Sequence, residues 1–445
     1  MVTDAAAPAF AFPVTPGQLQ MLWYERDHPN AGSAYHITMT HRLTGPVRPD
    51  LVAAAFDAVV RRHEALRTVF RTIDGEPRQV VLGDPKVPLR YVDCGTDEVA
   101  ADRELRDNAE RVFHFDSEPL IRALLVRTSS EHHVLALVAH HLVTDGRSTG
   151  LIMAELVTDY AALSAGGRPA GRGGLQLADF TLWQAEALSQ DELRRQGLFW
   201  QRQLAGVPRS IEMPFDRPRS SVRDNVADGH EFTVPADVTA RLRSLAREHG
   251  VTMYMMLLAV TQIVLGRCGA QELFVVGTNT ERRRRPEFDD VVGCFAGKVP
   301  IRADLRGQPD LVTLLGRVRQ ATLDALSNDD VVFDDALTEP KPPWAPGVPA
   351  INQVSFQLFH GGFTATDTTV AGVRFEPIPG PTERIAKEML VLFVDEGELR
   401  CGLMWLTALF DRATVINLCD DFLAVLDAVS RHPSESIWRL PGVDR

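Results

Sequence analysis

Short apolar runs and amphipathic stretches alternate along the whole chain. Leu120 to Val126 and His132 to Ala139 are apolar runs of strand length, split by Thr128-Ser129-Ser130-Glu131, and predict two neighbouring strands. Val52, Phe56, Val59, Val60 and Leu66 recur at helical spacing behind Asp50, which predicts a helix with Asp50 as its N-cap. The second half restarts the pattern. Ala236 to Glu248, Met253 to Leu265 and Leu311 to Leu326 have helical periodicity. Leu273 to Gly277, Val354 to Phe359, Met389 to Asp395 and Leu399 to Trp405 read as strands, the last two joined by a Glu396-Gly397-Glu398 turn. Asp411 to Val429 closes the chain as an amphipathic helix. Both halves mix sheet and helix, so the pattern predicts an α/β protein with two lobes.

Breaks in the pattern give the boundaries. Residues 1–12 are rich in Ala and Pro and are expected to be a flexible N-terminus. An N-terminal lobe is expected over 13–180 and a helix followed by an inter-lobe crossing over 181–229. The C-terminal lobe is expected over 230–445. The crossing is suggested by the Pro- and Arg-rich, aperiodic stretch from Gly206 to Gly229. Gly166 to Gly174 reads as a glycine-rich loop and Lys341-Pro342-Pro343-Trp344-Ala345-Pro346 as an extended one. There is no short tandem repeat.

Composition narrows the class. A chain of 445 residues exceeds one ordinary core. Hydrophobic residues at 45% and charged residues at 24% fit a globular protein. A net charge of −12 argues against nucleic acid or an anionic membrane as partner. Five scattered cysteines without a CxxC pair fit reduced thiols, with neither disulfides nor a zinc site, so no metal is expected. No apolar run reaches spanning length and no secretory signal opens the chain, which points to a cytoplasmic protein.

The candidate chemistry sits at His140-His141-Leu142-Val143-Thr144-Asp145-Gly146. The run follows the predicted strand ending at Ala139 and precedes the helix-like stretch from Ser148 to Met153. A strand end presents a histidine on a rigid support, and an imidazole can take and give a proton near pH 7. Asp145 can turn the backbone and fix a charge, and Gly146 leaves room for a substrate to approach. Other clusters have duller readings. His132-His133 lacks the following Asp-Gly and reads as the polar start of a strand. Arg282 to Arg285 reads as an anion site or a solvated face. Phe295 and the Met253-Met255-Met256 cluster read as core. No GxSxG, HExxH, GxxxxGK[ST] or strand-linked GxGxxG is present.

From about Val14 to the C-terminus the chain resembles condensation domains of nonribosomal peptide synthetases, within the chloramphenicol-acetyltransferase-like superfamily. Val14 to Trp23 is similar to the SxxQxxLW opening and Arg62 to Phe70 to RHExLRTxF. His140 to Gly146 matches HHxxxDG intact. Asp179 to Gln184 resembles DYAxWQ, and Phe199-Trp200 to Pro208, followed by Asp216 to Arg219, resembles YWxxxLxGxP and its sequel. Gly277 to Glu287 resembles GTxxxGRxxPE, and Gly293 to Phe295 with Val299 to Arg302 resembles GxFVNTLPLR. Gln353 to Phe356 and Leu409 to Asp411 match the late motifs. Three departures set this chain apart from the usual peptide-forming pattern. Gly297-Lys298 stands for Asn-Thr, Leu177 stands for an aromatic, and Arg147 follows the Asp-Gly.

The resemblance implies two chloramphenicol-acetyltransferase-like lobes forming a V-shaped pseudo-dimer with a central tunnel. Gly297, Lys298, Arg147, Trp183 and Ser355 are the expected tunnel residues. It implies a condensation enzyme that joins an acyl or aminoacyl thioester to an amine or alcohol acceptor. No cofactor would be bound by the chain itself. The donor would ride on the phosphopantetheine of a peptidyl or acyl carrier protein supplied in trans, since no adenylation or carrier segment is recognised and the protein reads as free-standing and monomeric. His141 would orient or deprotonate the acceptor, His140 would be structural, and Gly146 would give clearance beside the thioester. Asp145 would hold the loop through a salt bridge, with Arg283 as first partner and Arg67 as second. Arg122, Arg127 and Arg61-Arg62 are expected contributors to carrier docking. Two alternatives stand beside this reading. One is a coenzyme A-dependent acyltransferase, whose DFGWG motif is absent. The other is a non-catalytic recruitment module, which usually loses the second His or the Gly retained here.

Overall fold

A computed structural model describes residues 10–27, 32–171, 173–208, 210–220, 224–331, 353–360, 367–381 and 384–442. The chain divides into two compact units: Met1–Ser189 with Glu281–Ala296 and Gly362–Thr382, and Gln190–Thr280 with Gly297–Gly361 and Glu383–Arg445.

In the first unit a six-stranded sheet runs in the order β12 (Thr368–Val370), β13 (Val373–Pro377), β2 (His36–Thr44), β7 (His132–His140), β6 (Ile121–Arg127), β5 (Leu89–Asp93). Strands β5 and β6 run parallel, whereas the β13–β2, β2–β7 and β7–β6 pairs are antiparallel. A smaller sheet joins β1 (Phe10–Pro13), β4 (Glu76–Val81) and β3 (Thr68–Ile73). Helices α1 (Pro16–Asp27), α2 (Pro49–Arg62), α3 (Glu98–Glu110), α4 (Gly146–Ser164) and α5 (Leu177–Ala187) complete the unit. The apolar stripe of α2, Val52, Ala55, Phe56, Val59 and Val60, packs with Ile152, Met153 and Leu156 of α4 over Leu135, Leu137 and Ala139 of β7. This packing gives β7 a fixed base from which its last residue enters the histidine loop.

In the second unit the sheet order is β10 (Ala296–Asp304), β9 (Leu273–Glu281), β11 (Val354–His360), β14 (Met389–Asp395), β15 (Leu399–Leu406), β8 (Ala227–Thr233). Strands β9, β11 and β14 are parallel, whereas β14, β15 and β8 are antiparallel. Helices α6 (Gln190–Gln203), α7 (Ala236–Glu248), α8 (Met253–Cys268), α9 (Leu311–Leu326) and α10 (Arg412–Arg431) accompany it. Helix α8 starts on Thr252, whose hydroxyl accepts from Met255 N, and is buried from Met255 to Gly266. A Cβ on Gly266 would stand 2.2 Å from Leu305 Cδ1, so glycine lets the helix close on its neighbour. Among the described residues no single helix is long and apolar enough to cross a membrane; α7 and α8 pass that test only as a pair bent by 110°.

Several expectations are corrected. Asp50 is not the N-cap of α2: Arg48 occupies that position, Pro49 opens the helix, and Asp50 sits in the first turn. Pro pre-sets the first helical φ, and an acid in the first turn complements the helix dipole. Phe10–Phe12, expected to be loose, belong with Pro13 to β1 and pair antiparallel with β4; residues 1–9 lie outside the described residues. The helix expected from 181 begins earlier, as α5 at Leu177, and belongs to the first unit, which runs to Ser189. Glu281–Ala296, together with β12 and β13, falls in the expected C-terminal lobe but packs with the first unit, where β13 adds to the edge of β2. Lys341 to Pro346, Arg172 of the glycine-rich loop, and Arg209 and 221–223 of the expected crossing lie outside the described residues.

Candidate active site

Strand β7 ends at His140, and α4 begins six residues later at Gly146. The intervening loop is held from both sides. Asp145 is the N-cap of α4, its Oδ1 accepting from Ser148 N at 2.8 Å and from Ser148 Oγ at 2.7 Å. On the other side, Leu142 O accepts from Gln18 Nε2 at 2.8 Å. Gln18 is fixed in turn by a reciprocal cap at the start of α1. Thr15 N donates to Gln18 Oε1 at 2.8 Å, and Gln18 N donates to Thr15 Oγ1 at 3.1 Å. Its Nε2 also reaches Gln79 Oε1 at 3.0 Å, and Gln79 Nε2 donates to Pro13 O at 2.7 Å.

The two histidines have different surroundings and opposite tautomers. His140 is 1% exposed, and its Nδ1 accepts from Leu142 N at 3.1 Å. A backbone N–H only donates, so the proton of the neutral ring is on Nε2, which faces Glu25 Oε1 at 3.5 Å. Phe115, His36, Tyr35 and Phe113 surround the ring, with centroids 4.9 to 6.5 Å away. Burial pulls its pKa down to about 3, so it is uncharged at neutral pH. His141 is half-buried; its backbone N donates to Tyr35 O at 2.8 Å and its ring meets Tyr35 edge-on. His141 Nδ1 lies 3.1 Å from Thr144 O. A carbonyl only accepts, so Nδ1 carries the proton and Nε2 of the neutral ring keeps its lone pair. The loop thus buries one imidazole as a structural piece and sets the basic nitrogen of the other away from its anchor.

Asp145 is 4% exposed and fully engaged. Arg283 Nη2 donates to both carboxylate oxygens at 3.2 Å, and Phe295 N donates to Oδ2 at 3.1 Å. Arg283 Nη1 donates to Phe288 O at 2.6 Å and Val291 O at 2.7 Å, and its guanidinium lies 3.8 Å from the Phe295 ring centroid. Ser148 Oγ accepts from Gly293 N at 3.0 Å and from Arg283 Nη2 at 3.0 Å. The segment 281–296 is therefore latched to the histidine loop through Asp145 and Ser148. Gly17 also meets this segment, for a Cβ there would stand 2.1 Å from Ala296 O.

The remaining expected site residues fall in both units. Arg67, the second partner expected for Asp145, instead donates to Leu82 O and, at 3.1 Å, to Glu64 Oε1; the carboxylate of Asp145 is held by Ser148, Arg283 and Phe295. Arg147 is exposed, and its Nε donates to Asp289 O at 2.8 Å. Trp183 packs on Phe180 and Phe288, with Arg285 stacked over it at 4.8 Å. Gly297 and Lys298 lie on β10 and Ser355 on β11, in the second unit with β9 between them. Arg282 to Arg285 is not a uniformly solvated face: Arg282 and the Arg283 side chain are buried, while Arg284 and Arg285 are exposed. Arg122 cannot serve a docking surface. It is 6% exposed and caps the C-terminus of α3 by donating to Asn108 O at 2.7 Å and Arg111 O at 2.6 Å. Burial lowers its pKa to about 10. Arg127 is paired with Asp93, and Arg61 with Asp57 at 2.8 Å.

Residues 11–441 match the sequence profile described as Condensation domain. Malpibaldin synthetase of Mortierella alpina is 32% identical over 429 residues, covering 94% of this chain and 8% of that protein. The chain thus spans a small part of that relative's length. Among solved structures, the X-domain from teicoplanin biosynthesis superposes with a TM-score of 0.86 at 26% identity, covering 96% of this chain and 97% of that one. The complex of the X-domain and OxyB from teicoplanin biosynthesis gives 0.88 at 25% identity, covering 98% and 97%.

Proposed function

The chain belongs to the condensation-domain family, and we propose that it transfers an acyl or aminoacyl group from a carrier-protein thioester to an amine or alcohol in natural-product biosynthesis. The observation that carries this reading is the tautomer of His141. With Nδ1 donating to the Thr144 carbonyl, Nε2 is the accepting nitrogen of the ring, and in this reading it takes the hydrogen bond from the acceptor's N–H or O–H. The acceptor's lone pair attacks the thioester carbonyl carbon, and a tetrahedral intermediate forms. Its collapse breaks the C–S bond. The sulfur leaves with the bonding electrons and takes the proton that His141 received from the acceptor. In the charged state the Thr144 carbonyl still accepts from Nδ1, so the ring does not turn during the transfer. A thioester is already reactive, so positioning contributes alongside the histidine's ~10²–10⁴ as a base. Asp145 and His140 act at one remove, by shaping the loop, and Gly146 gives clearance beside the thioester.

The test loads a panel of acyl and aminoacyl groups on carrier proteins, adds candidate amines and alcohols, and follows product mass. The same acyl group is then compared on a carrier, on coenzyme A and on a short pantetheine mimic. Preference for the carrier supports this reading; equal use of coenzyme A replaces it with a small-molecule acyltransferase. A second reading is a recruitment module that docks another protein. It is favoured by the likeness to the X-domain, which has been solved in complex with OxyB. Absence of product with every donor, together with stable binding of a partner protein, would favour that module.

A further inference from the structure

The pairing of β2 with β7 continues one rung beyond the strands. His36 pairs with His140, and past that pair His141 N donates to Tyr35 O at 2.8 Å. Antiparallel register therefore puts Tyr35 directly opposite His141, with the two side chains on one face. Tyr35 is itself fixed. His36 N donates to Ser33 O at 3.0 Å, closing the turn that leads into β2. Tyr35 is 6% exposed and its ring packs among other rings. Tyr24 of α1 meets it edge-on at 5.2 Å and 88°. His140 lies 6.1 Å away with the planes tilted by 55°, and His141 lies 6.4 Å away at 84°. The last pair falls within the edge-to-face range of about 4.5–7 Å.

The imidazole of His141 needs such a support. Its bond from Nδ1 to the Thr144 carbonyl is 3.1 Å long and only partly buried. A neutral hydrogen bond of this kind favours one arrangement by only about two- to twelvefold, because water competes for both partners. Turning the ring about its Cβ–Cγ bond breaks that contact. The tautomer follows the hydrogen bond that the ring makes, so the turned ring can carry its proton on Nε2 and lose the basic nitrogen there. An edge-to-face pair adds a further preference of about two- to twelvefold, and it acts on the direction of the ring. The brace behind Tyr35 is α1, whose Gln18 also holds Leu142 O at 2.8 Å. One helix thus steadies the loop at two points: the backbone just after His141 and the ring opposite it.

We propose that Tyr35 is a positioning residue for the transfer reaction: its ring, across the strand pair from His141, keeps that imidazole turned with Nδ1 on the Thr144 carbonyl and Nε2 as the basic nitrogen. The consequence for turnover rests on the acyl-transfer reading; the control of the His141 tautomer does not.

The test uses the full-length protein with ¹⁵N-labelled histidine, at a pH above the imidazole titration range. Long-range ¹H–¹⁵N spectra identify each tautomer, and His141→Ala assigns the His141 signals. The wild-type protein is expected to show His141 as the Nδ1–H tautomer, with nuclear Overhauser contacts between its ring and that of Tyr35. Tyr35→Leu is expected to populate the Nε2–H tautomer and to lower kcat by about two- to twelvefold at unchanged acceptor KM. Tyr35→Phe should restore both. Loss through unfolding alone would weaken the signals without changing the tautomer. A folded Tyr35→Leu variant with the wild-type tautomer, or a wild-type protein without contacts between the two rings, would overturn the proposal whether or not acyl groups are transferred. A Tyr35→Phe variant that behaves like Tyr35→Leu would assign the effect to the hydroxyl and overturn the role of the ring. If the tautomer changes as expected but no donor gives product, the positioning stands and the acyl-transfer reading falls.

Discussion

Replacing Asp145 by alanine removes the acceptor of five hydrogen bonds at once and leaves the buried Arg283 guanidinium with only the exposed Glu281 carboxylate, 3.6 Å from its Nε, as counter-charge. Breaking a buried pair from one side costs about 3–5 kcal/mol. Arg283 keeps the Phe288 and Val291 carbonyls and the face of Phe295, which places its share near the lower end, about 3 kcal/mol. Loss of the α4 N-cap adds about 1 kcal/mol. A total near 4 kcal/mol is a large part of the ~5–15 kcal/mol that holds a domain together. At roughly 2–4 °C per kcal/mol for a unit of this size, the melting temperature should fall by about 8–16 °C. Calorimetry on the purified variant reads this directly. Asp145→Asn keeps a cap acceptor but loses the charge, and should fall less. The decisive comparison is Asp145→Ala with Arg283→Met. Removing the under-compensated charge should recover part of the loss, so the double variant should melt above Asp145→Ala alone. A wild-type melting temperature for Asp145→Ala, or a double variant that loses the sum of both single effects, would refute the buried-pair account.

Three further outcomes follow from the same geometry. His140→Ala should act mainly through stability, because it empties an aromatic-lined site and frees Leu142 N, whereas His141→Ala should melt like wild type; the reverse order in a thermal melt would contradict these roles. Burial holds His41 at about 4 and His140 at about 3, below their unfolded value of about 6.5. A lowered folded pKa means that their contribution is fully present above pH 6.5 and is lost as pH falls toward 4 and then 3. Urea midpoints should therefore drop on acidification through that window, and His41→Phe should flatten the slope; an unchanged slope in that variant would sink the assignment. Gly17→Ala would place a methyl 2.1 Å from the Ala296 carbonyl oxygen, so it should lower the melting temperature, and a neutral effect would show that this contact is not fixed.

What is legible in the sequence follows local physics. α7 and α9 are read to the residue, and β14 likewise, because each has one apolar face and a clear turn at its end. β2 escapes the pattern because its signal is ambiguous: His41 is buried in the core and Arg42 points outward. β13 is illegible as a first-unit strand, since its pairing with β2 spans more than three hundred residues and no local propensity encodes it. At the site the histidine motif is visible locally, whereas Arg283 is reached only through the family pattern. Ser148 has no assigned role in the sequence reading, although a serine three residues after a capping Asp could signal it. Gln18 lies within the opening motif, and Thr15-x-x-Gln18 carries a capping-box signature that locates it at the start of α1. Its second bond, to Leu142, depends on tertiary packing. Arg122 shows the opposite failure: a strand arginine that reads as surface is spent on a helix terminus.

The central claim is acceptor-dependent acyl transfer at His141. Its most direct measurement is intact-protein mass spectrometry of an acyl-loaded carrier protein incubated with the wild-type chain, with and without acceptor. The carrier is expected to lose its acyl group when the acceptor is present, and the product to carry that acyl group. His141→Ala should slow the loss by about 10²-fold or more while remaining folded. Unloading at the same rate with His141→Ala, or a carrier that stays loaded with every acceptor, would contradict the claim.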